Sequence, residues 1–156
     1  MMKFITCSEA DTLRFAGRLA ELLAPGDSVL LHGDLGAGKS VFARGVARAL
    51  GVTGAMPSPS FTLLIPYQAR LKLYHYDLYR LNDPDEFYAA GLDEFISGDG
   101  VALIEWPEMA DIDPEPCLHV TICRSACGDE NKREITIEEN GKAVNADVLA
   151  EWRMGN

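Results

Sequence analysis

Residues 33–40 read Gly-Asp-Leu-Gly-Ala-Gly-Lys-Ser, a complete G-x-x-x-x-G-K-[ST] pattern, and the chemistry that such a run performs is the cradling of phosphate. Gly33, Gly36 and Gly38 let the backbone turn its N–H groups inward and lie close to phosphate oxygens. Lys39 has the reach for β and γ phosphates, and the Ser40 hydroxyl suits a magnesium ion. Ala37 and Val41 flank these residues and are counted with the nucleotide contacts. The apolar run Val29-Leu30-Leu31 precedes the loop, and the helical stretch Lys39 to Leu50 follows it, closed by Gly51. That strand–loop–helix setting separates a phosphate loop from a chance Gly-rich turn. The chain is expected to bind a nucleoside triphosphate.

Hydrolysis needs two further groups, a carboxylate near the metal and something that orients the attacking water. Glu105 ends the apolar run Val101-Ala102-Leu103-Ile104, where it can deliver an acid to magnesium or stand as an ordinary exposed carboxylate. Asp77 closes Leu73-Tyr74-His75-Tyr76-Asp77. On an alternating strand His75 and Asp77 share one face, so both can approach one site, or Asp77 can be a solvated edge acid. Ser58, Ser60 and Thr62 lie in a loop of the kind that closes over a γ phosphate, although Ser-Pro pairs also serve plain turns. Arg80 offers either an internal arginine finger or a structural ion pair, and Trp106 either packs near the nucleotide or fills the core edge before Pro107. Asn131-Lys132-Arg133-Glu134 approximates the guanine-reading Asn-Lys-x-Asp, but the acid is Glu and the segment precedes a strand. ATP is therefore the expected nucleotide.

These groups need a scaffold. Phe4 to Thr6 reads as a first strand, and Ser8 with Asp11 as the cap of a helix with an apolar face of Leu13, Ala16, Ala20 and Leu23. In the phosphate-loop helix, Phe42, Val46, Ala49 and Leu50 form the buried stripe. Residues 54–60 are too rich in turn formers for regular structure, so an exposed loop is expected. Phe61 to Pro66 and Leu71 to Asp77 read as strands around a tight turn at Gln68 to Arg70. Asp83-Pro84-Asp85-Glu86 starts a short helix that Gly91 stops. Leu118 to Cys123 and Glu134 to Ile137 should pair as a hairpin, and Ala146 to Trp152 suits a terminal helix. The order implies an α/β, three-layer P-loop NTPase fold over residues 1–156, its sheet mostly parallel with antiparallel margin strands.

With 156 residues and 47% apolar content, the chain reads as one ordered domain with little room for a separate substrate lid. No stretch resembles a signal peptide or a membrane span. Cys7, Cys117, Cys123 and Cys127 are scattered, and no fourth ligand stands at finger-like spacing from the last three, so reduced thiols of a cytoplasmic protein are expected. A net charge of −10 without any basic run argues against direct binding to a nucleic acid backbone, DNA included, and suits a partner with a basic surface, or none.

Four segments together resemble one family: residues 32–40, Ser-Pro-Ser-Phe-Thr-Leu at 58–63, His-Tyr-Asp-Leu-Tyr-Arg-Leu at 75–81 and Ile-Glu-Trp-Pro-Glu at 104–108. In this order they are similar to the TsaE family, the bacterial ATPases required for threonylcarbamoyladenosine modification of tRNA. The resemblance covers nearly the whole chain. It implies that Ser40 and Glu105 bind magnesium, that residues 58–62 form a first switch including Thr62, and that Asp77 is the water-orienting or metal-linked acid of a second. Ser40 and Ser60 stand where the family often has Thr, which keeps the hydroxyl. Glu9 and Arg133 match positions near the nucleotide. The implied partners are the TsaB–TsaD pair, in which TsaD performs the transfer while a separate enzyme makes threonylcarbamoyl-adenylate. ATP hydrolysis would reset that complex between turnovers.

Two other classes compete with a switch ATPase. A small-molecule kinase would use Asp77 as the base for an acceptor hydroxyl, but the arginine cluster of a kinase lid is missing after the phosphate-loop helix. A non-hydrolysing nucleotide sensor would leave Glu105 and Asp77 without a task.

Overall fold

The computed structural model describes residues 1–126 and 128–154, so Cys127 lies outside the described residues. The chain opens with β1 (Met2–Thr6) and α1 (Glu9–Ala20). Ser8 caps α1 by accepting from the Asp11 N–H at 3.0 Å, and the Asp11 carboxylate reaches back to the Cys7 N–H at 2.9 Å. Two of the N–H groups at that helix start are satisfied reciprocally. The buried face of α1 is Thr12, Phe15, Ala16, Leu19 and Ala20, with Leu13 only half-buried. β2 (Ser28–His32) and α2 (Lys39–Leu50) enclose the phosphate loop. β3 (Leu64–Tyr67), β4 (Leu73–Asp77), α3 (Pro84–Ala89) and β5 (Val101–Glu105) follow, then β6 (Cys117–Arg124) and β7 (Arg133–Asn140). Asp83 caps α3 through the Glu86 N–H at 3.2 Å.

The seven strands form one sheet in the order β1-β7-β6-β2-β5-β4-β3. The four central strands β6, β2, β5 and β4 are parallel, while β7, β1 and β3 join antiparallel at the margins. The fully buried runs of β2, β4 and β5 are what a parallel strand covered on both faces requires. On one face, Phe15 of α1 meets the rings of Phe4, Phe42 and Trp152 at 5.1, 6.3 and 5.3 Å. On the other, Leu30, Tyr76, Phe87 and Ile104 form a second buried cluster. Helices α1 and α2 pack closely because Gly45 has no side chain: a Cβ there would lie 2.7 Å from that of Ala16 and 2.8 Å from the Leu13 carbonyl.

Two strands start later than the sequence expectation, β4 at Leu73 rather than Leu71 and β3 by three residues. β3 starts at Leu64 rather than Phe61, because Leu63 adopts φ 67° and donates its N–H to the Pro59 carbonyl at 2.7 Å. Residues 61–63 thus belong to the preceding turn. The expected terminal helix Ala146–Trp152 is of the 3-10 type and is interrupted at Leu149, which leaves helical φ/ψ as it and Trp152 enter the core. Among the described residues no helix is long and apolar enough to cross a membrane.

Candidate nucleotide-binding site

The loop between β2 and α2 lies against the β6–β7 hairpin. A Cβ on Gly33 would stand 2.5 Å from the Ile122 carbonyl oxygen, so only glycine lets the loop leave β2 here. Arg133 at the start of β7 donates its Nε–H to the Ala37 carbonyl at 2.8 Å and Nη1 to the carbonyls of Glu130 and Lys132 at 2.5 and 3.0 Å. Its guanidinium braces the loop from the side. The Ala37 N–H donates within the loop, to the Asp34 carbonyl at 3.1 Å.

Lys39 opens α2 and is 6% exposed, and its Nζ has no hydrogen-bond partner among the described residues. It lies 3.5 Å over the centre of the Trp106 ring. Burial lowers the pKa of this ammonium, opposed by the charges of Glu105, Glu108, Asp77 and Asp34. A buried cation without an acceptor is costly unless an anion joins it. Around it lies a cleft of about 310 Å³ lined by Gly38, Lys39, Ser40, Glu105, Trp106 and Arg133 among others. A second cleft of about 410 Å³ shares Ser40 and Glu105 and adds Arg44, Arg48, Ser58 and His75.

The acids arrive on neighbouring parallel strands, in a register that pairs Asp77 of β4 directly with Glu105 of β5. Both are buried. Glu105 Oε2 is 2.8 Å from His75 Nε2, and His75 Nδ1 is buried without a partner among the described residues. Asp77 accepts from the Ser60 hydroxyl at 3.3 Å and from the Tyr79 N–H at 3.1 Å, and Ser60 is joined to Ser58 at 2.6 Å. The loop of residues 58–60 is therefore tied to an acid of the site. Ser40, Glu105 and Asp77 supply hard oxygen donors of the sort magnesium takes, and the unpartnered Lys39 ammonium suits the phosphates that accompany it.

The remaining candidates fall in different places. Glu9, Val41 and Arg133 come together around Gly38 in a small cleft of about 90 Å³. Glu9 also stands 3.7 Å from Arg44. Thr62 is exposed and lines neither larger cleft. Arg80 makes no ion pair among the described residues; its guanidinium lies 4.2 Å over the ring of Phe61, which is 82% exposed. Trp106 lines the cleft around Lys39. It adopts φ 58° directly after Glu105, which turns its ring under Lys39 and against Tyr79 at 4.9 Å. The hold of His75 on Glu105 depends on the register of β4 against β5, which periodicity along either strand does not carry.

The sequence model of the family described as "Threonylcarbamoyl adenosine biosynthesis protein TsaE" matches residues 6–135. The chain belongs to the TsaE family. It is 42% identical over 136 residues to the tRNA threonylcarbamoyladenosine biosynthesis protein TsaE of Treponema pallidum, covering 87% of this chain and 99% of that protein. The TsaE of Bacillus subtilis is 40% identical over 142 residues, 90% of this chain and 87% of the relative. The crystal structure of YdiB from Bacillus subtilis superposes with a TM-score of 0.76 at 34% identity, covering 96% of this chain and 92% of that one. As a TsaE family member the chain falls among proteins named for biosynthesis of threonylcarbamoyladenosine in tRNA.

Proposed function

We propose that this TsaE family member is a magnesium-dependent ATPase that acts as a partner-gated switch on the TsaB–TsaD complex during threonylcarbamoyladenosine modification of tRNA. The observation that carries the nucleotide-binding part of the reading is the buried Lys39 ammonium, without a hydrogen-bond acceptor among the described residues, at the end of a complete phosphate-loop motif. In this reading the loop backbone and Lys39 bind the β and γ phosphates, with Glu9 and Arg133 toward the nucleoside. Ser40 and Glu105 would hold magnesium, which neutralises charge on the phosphate oxygens. His75 fixes the orientation of Glu105. Asp77 orients the attacking water, and Ser60, bound to it, couples the loop of residues 58–62 to that task. Tying that loop to an acid gives a partner something to move, and P-loop switches commonly await a partner that completes the site.

ATP turnover by the purified chain, alone and with TsaB–TsaD, tests the proposal. A low basal rate that rises sharply with the pair is expected; a rate indifferent to the pair overturns the gating.

One observation favours a second reading, phosphoryl transfer to a small acceptor. The 410 Å³ cleft beside Ser40 and Glu105 carries Arg44 and Arg48 from α2. Phosphate recovered on an acceptor instead of as inorganic phosphate would select it.

A further inference from the structure

On the sheet face opposite α1 and α2, away from the phosphate loop's own donors, three side chains of metal-ligating type converge. Asp113, Cys117 and His119 each offer one ligand atom, and these atoms lie within 4.8 Å of one another. Cys117 and His119 are two residues apart on β6, so the pleat points both to one side, and β6 is held between β2 and β7. Asp113 comes from the loop that follows a 3-10 turn at Pro107–Met109. We propose that Asp113 Oδ1, Cys117 Sγ and His119 Nε2 form a site for a divalent cation of the zinc class, with solvent completing the coordination.

The geometry is close to what such an ion takes. Tetrahedral zinc with bonds of about 2.0–2.3 Å separates its ligand atoms by about 3.3–3.8 Å. Asp113 Oδ1 is 3.6 Å from Cys117 Sγ, already within that range. It is 2.8 Å from His119 Nε2, the separation of a hydrogen bond, so here a proton bridges the two atoms and a shift of about 0.5 Å by Asp113 makes room. The Asp113 side chain, 66% exposed, has room for that shift, which need only lengthen its hydrogen bond from Asn140.

The surroundings orient the three groups as outer-shell partners do. The Asn140 amide of β7 donates to Asp113 Oδ1 at 3.1 Å and lies 3.6 Å from Cys117 Sγ. His119 Nδ1 is 3.0 Å from His32 Nε2, and the two rings stack at 5.2 Å. With Nε2 given to a cation, His119 stays neutral by carrying its hydrogen on Nδ1, where His32 Nε2 accepts it. The Cys117 thiol, pushed by burial to about 11, gives up its proton to solvent when the cation binds. One thiolate and one carboxylate then balance the dication, so the buried side of the site stays electrically neutral.

The test is a titration of the nucleotide-free chain with cobalt(II), read by its thiolate-to-cobalt absorption and by pH-stat proton release. One equivalent should bind with a thiolate band and release one proton. Asp113→Asn and His119→Gln should each weaken binding tenfold or more, as removal of a ligand requires, and Cys117→Ser should remove the band. The triple variant Cys7→Ser/Cys123→Ser/Cys127→Ser, which lacks every other thiol of the chain, should keep it. Cobalt binding without a thiolate band, a band lost in the triple variant, or a band that survives Cys117→Ser overturns the site. Should Cys117→Ser fold poorly, Asp113→Asn decides by itself: unchanged affinity in that exposed-loop variant refutes the proposal.

Discussion

His75 and Glu105 face each other diagonally across two parallel strands, Nε2 to Oε2 at 2.8 Å, and both are buried. The pair fixes the acid that we assign to magnesium. His75→Ala should raise the magnesium concentration needed for half-maximal turnover about 10–100-fold, while turnover at saturating magnesium falls far less. A magnesium titration of ATP hydrolysis checks this; an unchanged magnesium dependence would remove His75 from the positioning role.

Lys39 sits on the face of Trp106 while it has no acceptor, so a phosphate that draws the ammonium away should alter the indole's emission. Nucleotide addition is expected to change tryptophan fluorescence in Trp152→Phe and to leave it unchanged in Trp106→Phe. The same contact predicts that Lys39→Met abolishes this response without lowering the melting temperature of the nucleotide-free chain, since the substitution removes a buried charge that has no hydrogen-bond acceptor among the described residues. A melting temperature several degrees lower would show that the contact with the Trp106 ring outweighs the cost of burying the charge.

Two glycines of the α1–α2 interface should respond with opposite signs to the same change. Gly45→Ala forces a Cβ to within 2.8 Å of neighbouring atoms and should cost about 1–3 kcal/mol, despite the better helix propensity of alanine. Gly17→Ala meets its nearest atom at 3.7 Å and should stabilise by about 0.5–1 kcal/mol. Urea midpoints of the two variants settle the comparison.

The start of β4 carries a pH-dependent contact. Asp99 accepts from Lys72 Nζ at 2.8 Å and from the Tyr74 hydroxyl at 2.6 Å, and the hydrogen bond from Lys72, followed by that from Tyr74, lowers its carboxyl pKa. A carboxyl lowered on folding contributes stability above its unfolded value of about 3.9, and that contribution is lost as pH falls through the folded value. Asp99→Asn should therefore be less stable than the parent chain near neutrality, and the difference should close in acid as the pH falls through the lowered pKa of the folded carboxyl. Paired denaturation curves across that range would expose a constant difference if the contact were not ionic.

Local signals in the sequence were read reliably. The Ser8–Asp11 cap, the Asp83-Pro84 helix start and the stop at Gly91 concern atoms a few residues apart, and each stands where the residue types put it. The phosphate loop and the strand-end positions of Asp77 and Glu105 were equally visible. Other features depend on which strands become neighbours. The burial of Asp77 follows from the pairing of β4 with β5, and the convergence of Asp113, Cys117 and His119 from the return of β6 beside β2. Cysteine spacing alone pointed away from a metal, because the other two ligands are Asp and His. The start of β3 was misplaced because Leu63 takes a left-handed conformation, which an apolar β-type run conceals.

The Ile122 backbone lies against Gly33, and the Arg133 guanidinium holds the Ala37 carbonyl. Both come from the last third of the chain, as does β7, the strand with which β1 pairs. Synthesis from the N-terminus therefore delivers the whole phosphate motif and both acids by residue 105, well before the hairpin that steadies them. Until then the first strand has no neighbour and the loop no brace. A nascent chain halted between residues 105 and 117 should carry every recognisable nucleotide signature and still hold nucleotide poorly. Competence for ATP would thus arrive late and as one cooperative step, and the cell would be spared half-made copies that occupy nucleotide or partner.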